Sequence, residues 1–192
     1  VRMSQPFRRW VQVHTQKLLR IEVHGFEHLK QAVDDGDGVL ITPNHSGHAD
    51  AIIMYHAADL LGKPFYFMTA WQVLGLRNIF RRTLFRLHGC FSVDREGTDL
   101  RAFKQAVEIL RSKPNPLKIF PEGEVYHLNE RVTPFREGPA AMALAAAKKK
   151  ERTIVCIPCG IRYHYLEDPT SELLKVMGYL EREMFWRPRP HL

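Results

Sequence analysis

Cysteine is scarce in this chain: Cys90, Cys156 and Cys159 are the only three among 192 residues. Three thiols cannot build a disulfide framework, so a reducing, cytoplasmic setting is expected. Long apolar runs are missing as well. The longest stretch without Asp, Glu, Lys or Arg runs from Pro64 to Leu76, short of the roughly 18 apolar residues that a spanning helix requires. The opening Val1-Arg2-Met3-Ser4-Gln5 has neither an apolar h-region nor a small-residue cleavage site, and no secretory signal is expected there. No Gly-x-Ser-x-Gly elbow, Gly-x-Gly-x-x-Gly turn or Walker loop occurs, which disfavours a serine hydrolase and the common nucleotide-binding folds.

Acidic residues are in deficit. Asp and Glu number 21 against 28 Lys and Arg, leaving a net charge of +7 and an isoelectric point near 9.5. Anionic partners follow from that balance: nucleic acid, phosphate-bearing substrates or an anionic membrane surface. Nucleic acid is the weakest of these, because no helix-turn-helix, zinc-finger or RNP-type pattern accompanies the charge. Hydrophobic residues make up 45 % of the chain, enough for a buried globular core.

Apolar β-type runs at Gly38 to Ile41, Phe65 to Met68, Cys90 to Val93, Leu117 to Phe120 and Ile154 to Ile157 alternate with helix-period segments. A further strand is expected over Ile161 to Tyr165. Helices are expected over Pro6 to Leu19, His48 to Leu61, Trp71 to Leu87, Thr98 to Arg111, Gly138 to Lys150 and Ser171 to Glu183. This alternation predicts an α/β single domain with a mixed, mostly parallel central sheet covered by helices. An N-terminal amphipathic helix occupies residues 1–20 in this reading, and residues 21–192 form the main domain. Asp34-Asp35-Gly36-Asp37-Gly38 lacks the ligand spacing of a calcium loop and reads as a turn feeding a strand.

The chemistry-bearing segment is Asn44-His45-Ser46-Gly47-His48-Ala49-Asp50, at the carboxyl end of a strand, where open α/β sheets hold ligands. On one continuous helix His45 and Asp50 would lie about 140° apart, so a turn must separate them, and Gly47 is expected to supply it. Asp50 in the first helical turn then reaches back to the His45 ring. A carboxylate on one ring nitrogen fixes the tautomer and leaves the other as a proton acceptor. By composition alone about 0.4 His-x4-Asp pairs are expected in such a chain, so the pair needs its context. A metal set of His45, His48 and Asp50 is the lesser alternative, since no third recognisable ligand pattern accompanies the two histidines; no metal is expected.

Other strand ends carry complementary features. Arg95 follows Cys90 to Val93 and suits bidentate phosphate recognition. Phe120-Pro121-Glu122-Gly123 leaves a strand through Pro and returns through Gly, bringing a carboxylate and backbone N–H groups to the same rim. Cys156 and Cys159 lie along a strand and read as structural.

In order, Asn44-His45-x4-Asp50, Gly89-x-Phe91-x-Val93-x-Arg95, Phe120-Pro121-Glu122-Gly123, Pro134-Phe135-Arg136-x-Gly138 and Ile154-Val155-x-Ile157-Pro158 resemble the glycerolipid acyltransferase family. The likeness is greatest to 1-acylglycerol-3-phosphate (lysophosphatidate) acyltransferases and spans roughly Ile21 to Tyr163. The resemblance implies that His45, polarised by Asp50, deprotonates an acceptor hydroxyl that attacks an acyl thioester directly. Acyl-CoA or acyl-carrier protein would be the donor substrate, a lysophospholipid or glycerol-phosphate-type compound the acceptor, and no cofactor is required. Asn44, Arg95, Glu122, Gly123, Arg136 and Pro158 are the implied substrate-binding residues, with N–H groups at the Gly123 turn open to an anionic oxygen. The chain departs from the family in having Glu124-Val125-Tyr126 where Thr-Arg-Ser is common, so a cationic phosphate ligand is missing there, with Arg131 or Arg136 as candidate substitutes. It also has His48 after Gly47.

Leu76, Leu87, Phe80, Val73 and Leu84 fall within an arc of about 80° when plotted on a helix, with Arg81, Arg82 and Arg86 outside it. We read this basic amphipathic segment as a membrane-surface helix, peripheral on the inner face; the alternative is an ordinary core stripe. Phe7, Trp10, Val11 and Leu18, with Arg8, Arg9, Lys17 and Arg20 around them, pose the same choice. A non-catalytic basic protein bound to anionic membrane is the competing function.

Overall fold

The computed structural model describes residues 2–75, 79–97 and 99–184. Five strands form one sheet: β1 (Gly38–Pro43), β2 (Tyr66–Ala70), β3 (Cys90–Val93), β4 (Leu117–Lys118) and β5 (Ile154–Cys159). Their order across the sheet is β3-β2-β4-β1-β5, and all four pairings are parallel. The α/β expectation therefore holds, without an antiparallel member among these strands. Residues 161–165, expected as a further strand, have no strand pairing.

Parallel strands need crossovers, and the helices supply them. They are α1 (Gln5–Trp10), α2 (Phe26–Asp34), α3 (Asp50–Leu61), α4 (Trp71–Gly75), α5 (Ile79–Leu87), α6 (Leu100–Ser112), α7 (Gly138–Ala147) and α8 (Thr170–Met184). The first helix is shorter than expected: α1 gives way to a π turn over Val11–Thr15, so Leu18 lies off the helix. The expected helix over Trp71 to Leu87 corresponds to α4 and α5, with Leu76 outside the described residues. The helix α2 has no counterpart among the helices expected from sequence, although Leu29, Ala32 and Val33, all buried, sit at helical spacing.

Leu40 of β1 and Leu117 of β4 pair across the sheet and meet Ala106, Ile109 and Leu110 of α6 and Met142, Ala143 and Ala146 of α7 in the buried core. Gly38 explains how closely α6 approaches: a Cβ there would lie 2.1 Å from the Leu110 carbonyl oxygen. Residues up to Ile161 make one compact unit, and a second unit, beginning at Arg162, contains α8. None of the described helices is long and apolar enough to cross a membrane.

Candidate active site

The sheet order decides which loops meet. β1 and β4 are neighbours, so the loop leaving β1 at Asn44 lies beside the turn that follows Ile119, whose N–H donates to the Ile41 carbonyl at 3.0 Å. β3 is separated from β4 by one strand, a span of about 10 Å that an arginine side chain can bridge.

His45 sits on the loop and Asp50 opens α3. The His45 Nδ1 lies 2.8 Å from Asp50 Oδ2, and the Gly47 N–H donates to the same oxygen at 3.0 Å. A carboxylate only accepts, so the ring hydrogen sits on Nδ1 and the Nε2 lone pair is left free. Asp50 is fully buried while the His45 side chain is 18 % exposed, so the dyad is anchored inside and open on one side. Gly47 lies in the expected turn without a left-handed backbone, and its N–H is given to Asp50.

Glu122 fixes the other end of the loop. Its Oε1 accepts the main-chain N–H of His45 at 2.6 Å, and its Oε2 accepts the Thr133 N–H at 3.0 Å and the Thr133 hydroxyl. Burial opposes the charge on Glu122, but these three donors and the nearby His45 outweigh it and hold the carboxyl below the usual range. The Phe120 ring stacks on the His45 imidazole with centroids 3.8 Å apart and planes 5° from parallel. The main-chain N–H of Tyr126 donates to the His45 carbonyl at 3.3 Å.

Gly123 lies between two guanidinium groups. Arg95 donates to its carbonyl oxygen, and the Arg136 side chain packs so close that a Cβ on Gly123 would fall 2.3 Å from Arg136 Nε. With φ at +82°, position 123 favours glycine on backbone grounds too. The Arg95 turn is cinched locally: Asp99 accepts the Asp94 N–H at 3.0 Å while also capping α6 through the Ala102 N–H at 2.9 Å. The Ala102 and Asp94 N–H groups together hold the Asp99 carboxyl below its ordinary pKa.

Of the residues singled out from sequence, His45, Asp50, Arg95, Glu122, Gly123 and Arg136 are thus gathered at the carboxyl ends of β1, β3 and β4. Asn44 lies beneath the loop. Its amide donates to Ser46 Oγ at 2.7 Å and to the Ile161 carbonyl at 3.0 Å, and accepts the Ile161 N–H at 2.5 Å, so its side chain holds the loop. Pro158, on the edge strand β5, is in register with Thr42 of β1, and with His24, His28 and Cys156 it lines a hollow of about 530 Å³. The Gly123 N–H, expected to face an anionic oxygen, donates instead to the Phe120 carbonyl at 3.1 Å. His48 points to His127, edge to face with centroids 5.0 Å apart, rather than joining His45 and Asp50. Among the described residues no three His, Cys, Asp or Glu side chains are grouped to hold a metal.

Thr133, Phe120 as a stacking partner, and His127 were not legible as site residues in the sequence. Thr133 directly precedes the Pro134-Phe135-Arg136 block, and its position beside that block was the available signal.

No curated protein matches this chain. The sequence model of the family described as Acyltransferase matches residues 20–162 of the 192. That match covers most of the chain and every strand, and it contains the whole His45 site. The chain therefore belongs to the acyltransferase family, of the glycerolipid type that its motif order resembles.

Proposed function

We propose that this acyltransferase moves a fatty acyl chain from an acyl thioester, carried on CoA or on acyl-carrier protein, to a hydroxyl of a lysophospholipid or glycerol-phosphate-type acceptor. The observation that carries the reading is the His45 ring bonded at 2.8 Å to a fully buried Asp50. An oriented imidazole with its second nitrogen free is a general base.

The transfer is direct. His45 Nε2 takes the acceptor's hydroxyl proton as the oxygen attacks the thioester carbonyl; the new C–O bond forms, the C–S bond breaks, and the imidazolium returns the proton to the departing thiolate. No covalent enzyme intermediate is required. Cys90, the cysteine buried in the sheet, has its thiol pushed up by burial, which argues against a thiolate nucleophile there. Arg95 and Arg136, on either side of Gly123, supply the paired cations that an acceptor phosphate calls for. In this reading Arg136 provides the cation that Glu124-Val125-Tyr126 does not.

A lipid acceptor is met at a membrane surface. Phe7 and Trp10 of α1 stack on each other with centroids 6.4 Å apart and are both more than half exposed. On α5, Ile79, Leu84 and Leu87 are exposed beside the exposed Arg82 and Arg86. Ser4 and His88, hydrogen-bonded at 2.8 Å, join the two regions. Exposure of these apolar residues favours a peripheral surface over a core stripe. Arg8 does not belong to that surface, since it is paired with Asp59 at 2.6 Å and lies over the Tyr55 ring.

The test is free-thiol release from a long-chain acyl-CoA or acyl-carrier protein with lysophosphatidate, glycerol 3-phosphate, a neutral lysolipid or no acceptor, for wild type and His45→Ala. Acceptor-dependent release that falls by about 10²- to 10⁴-fold in a folded His45→Ala protein is expected. Near wild-type release by that variant overturns the base assignment. Vesicle binding with no turnover from either donor would favour the non-catalytic reading.

A further inference from the structure

Among the described residues, the buried polar and charged side chains are Asn44, Ser46, Asp50, Lys118 and Glu122. Four of these build the His45 loop and its clamp. Lys118, on β4, is the fifth, and neither the His45 loop nor its clamp uses it.

The Lys118 ammonium lies 3.6 Å from the centroid of Phe120 and 4.6 Å from that of Phe67. Phe120 follows Lys118 by two residues, which returns its side chain to the same side of an extended chain. The His45 ring is 3.8 Å from the same Phe120 centroid and nearly parallel to it. At these distances an ammonium and a stacked imidazole cannot share one face of a phenyl ring. They occupy opposite faces, in a column of ammonium, phenyl and imidazole. A cation draws π density toward its own face. An imidazolium forming at His45 then meets a ring already polarised away from it, with a second positive charge behind.

We propose, on the footing that His45 is the general base, that Lys118 is a positioning residue which acts through Phe120 to oppose protonation of the His45 imidazole. Such a group keeps the base free to accept a proton and speeds the return of that proton to the leaving thiolate. The charges around Lys118 permit this role. Asp50 on α3 favours the ammonium, and so does Cys90 on β3, though burial pushes that thiol up, leaving Asp50 as the anion felt near neutral pH. Tyr55 on α3 stacks on Phe67 and meets Cys90 Sγ at 3.7 Å, and burial pushes its phenol well up, so it stays neutral. Around His45 itself stand Asp50 and Glu122. Burial outweighs the anions and brings Lys118 down to about 7, so its charge changes across the working range of an imidazole.

The experiment follows the His45 ring nitrogens by NMR across pH in the full chain, with His45→Ala to assign the signals, beside the pH profile of thiol release. Lys118→Met and Lys118→Gln remove the charge at similar length, either serving if the other fails to fold. Lys118→Arg keeps a permanent charge. In the neutral variants the His45 titration and the acid limb of kcat/KM are both expected to move up by about one unit, with about tenfold less activity below the limb. Lys118→Arg is expected to titrate at or below wild type. A folded neutral variant whose His45 titration does not move, beside an inactive His45→Ala, overturns the positioning role and leaves the base in place. Turnover retained in His45→Ala overturns both.

Discussion

Glu122 accepts the main-chain N–H of His45 at 2.6 Å and so ties the end of β4 to the loop that leaves β1. The bond is to the backbone of His45, while Asp50 holds the ring. Loop and imidazole are therefore fixed by different carboxylates, and substitutions at the two should separate.

Asp50→Asn replaces an acceptor by an amide. The amide oxygen still accepts from Gly47, but on the proposal that His45 is the general base the ring loses the charge that would stabilise its protonated form. A fall in turnover of about 10²-fold or more is expected, with a change in stability of about 1 kcal/mol. Thiol-release kinetics and urea unfolding on the same preparations check both.

Glu122→Gln turns an amide NH2 toward at least one of the donors that now bond the carboxylate. The expected loss is about 1 to 3 kcal/mol of stability with reduced turnover. Because the folded carboxyl is held below its ordinary value, its contribution is complete above about 4.3, the unfolded value, and fades as pH falls through the folded value. The gap in melting temperature between wild type and variant should be constant from pH 6 to 8 and close only in stronger acid.

Arg95→Ala and Arg136→Ala should each raise KM for phosphorylated acceptors far more than for neutral lysolipid. A bidentate charge-assisted contact is worth about 1.5 to 3 kcal/mol, or roughly 10- to 100-fold. Equal losses with charged and neutral acceptors would remove the phosphate role from both residues.

Lys118→Met should stabilise the fold in a pH-dependent way. The amine titrates near 7 when folded and near 10.4 when unfolded, so its burial is unpenalised above the unfolded value. As pH falls from there to about 7, the unfolded chain binds the proton first, and the native protein loses about 1.4 kcal/mol per unit. The advantage of the Met variant in thermal melts should grow over that window and level off below it.

Trp10→Ser and Leu87→Ser should weaken sedimentation with vesicles containing anionic lipid, each by roughly 5- to 50-fold for an apolar side chain removed from lipid, with little change in melting temperature since both are exposed. Unchanged partitioning would remove these faces from the membrane surface.

Local patterns were legible because they are settled within a few residues. The runs that became β1 to β5 are mostly β-type apolar residues, and the expected acidic turn before β1 closes at Gly36 with φ at +82°. The helix α2 is not legible in the sequence because its polar positions and the acidic turn after it hide a three-residue buried stripe.

The α/β fold, a histidine at a strand's carboxyl end and Asp50 at the start of the next helix were all readable from local spacing. That pairing is local, since five residues and the start of a helix are enough to close it. That Glu122 clamps His45, that Arg95 and Arg136 meet at Gly123, and that Lys118 is buried behind Phe120 follow from the three-dimensional packing alone. Those relationships depend on β4 lying between β2 and β1. Strand order is fixed by how helices such as α6 and α7 bury their apolar residues against several strands at once, a long-range condition that no short window of residues contains.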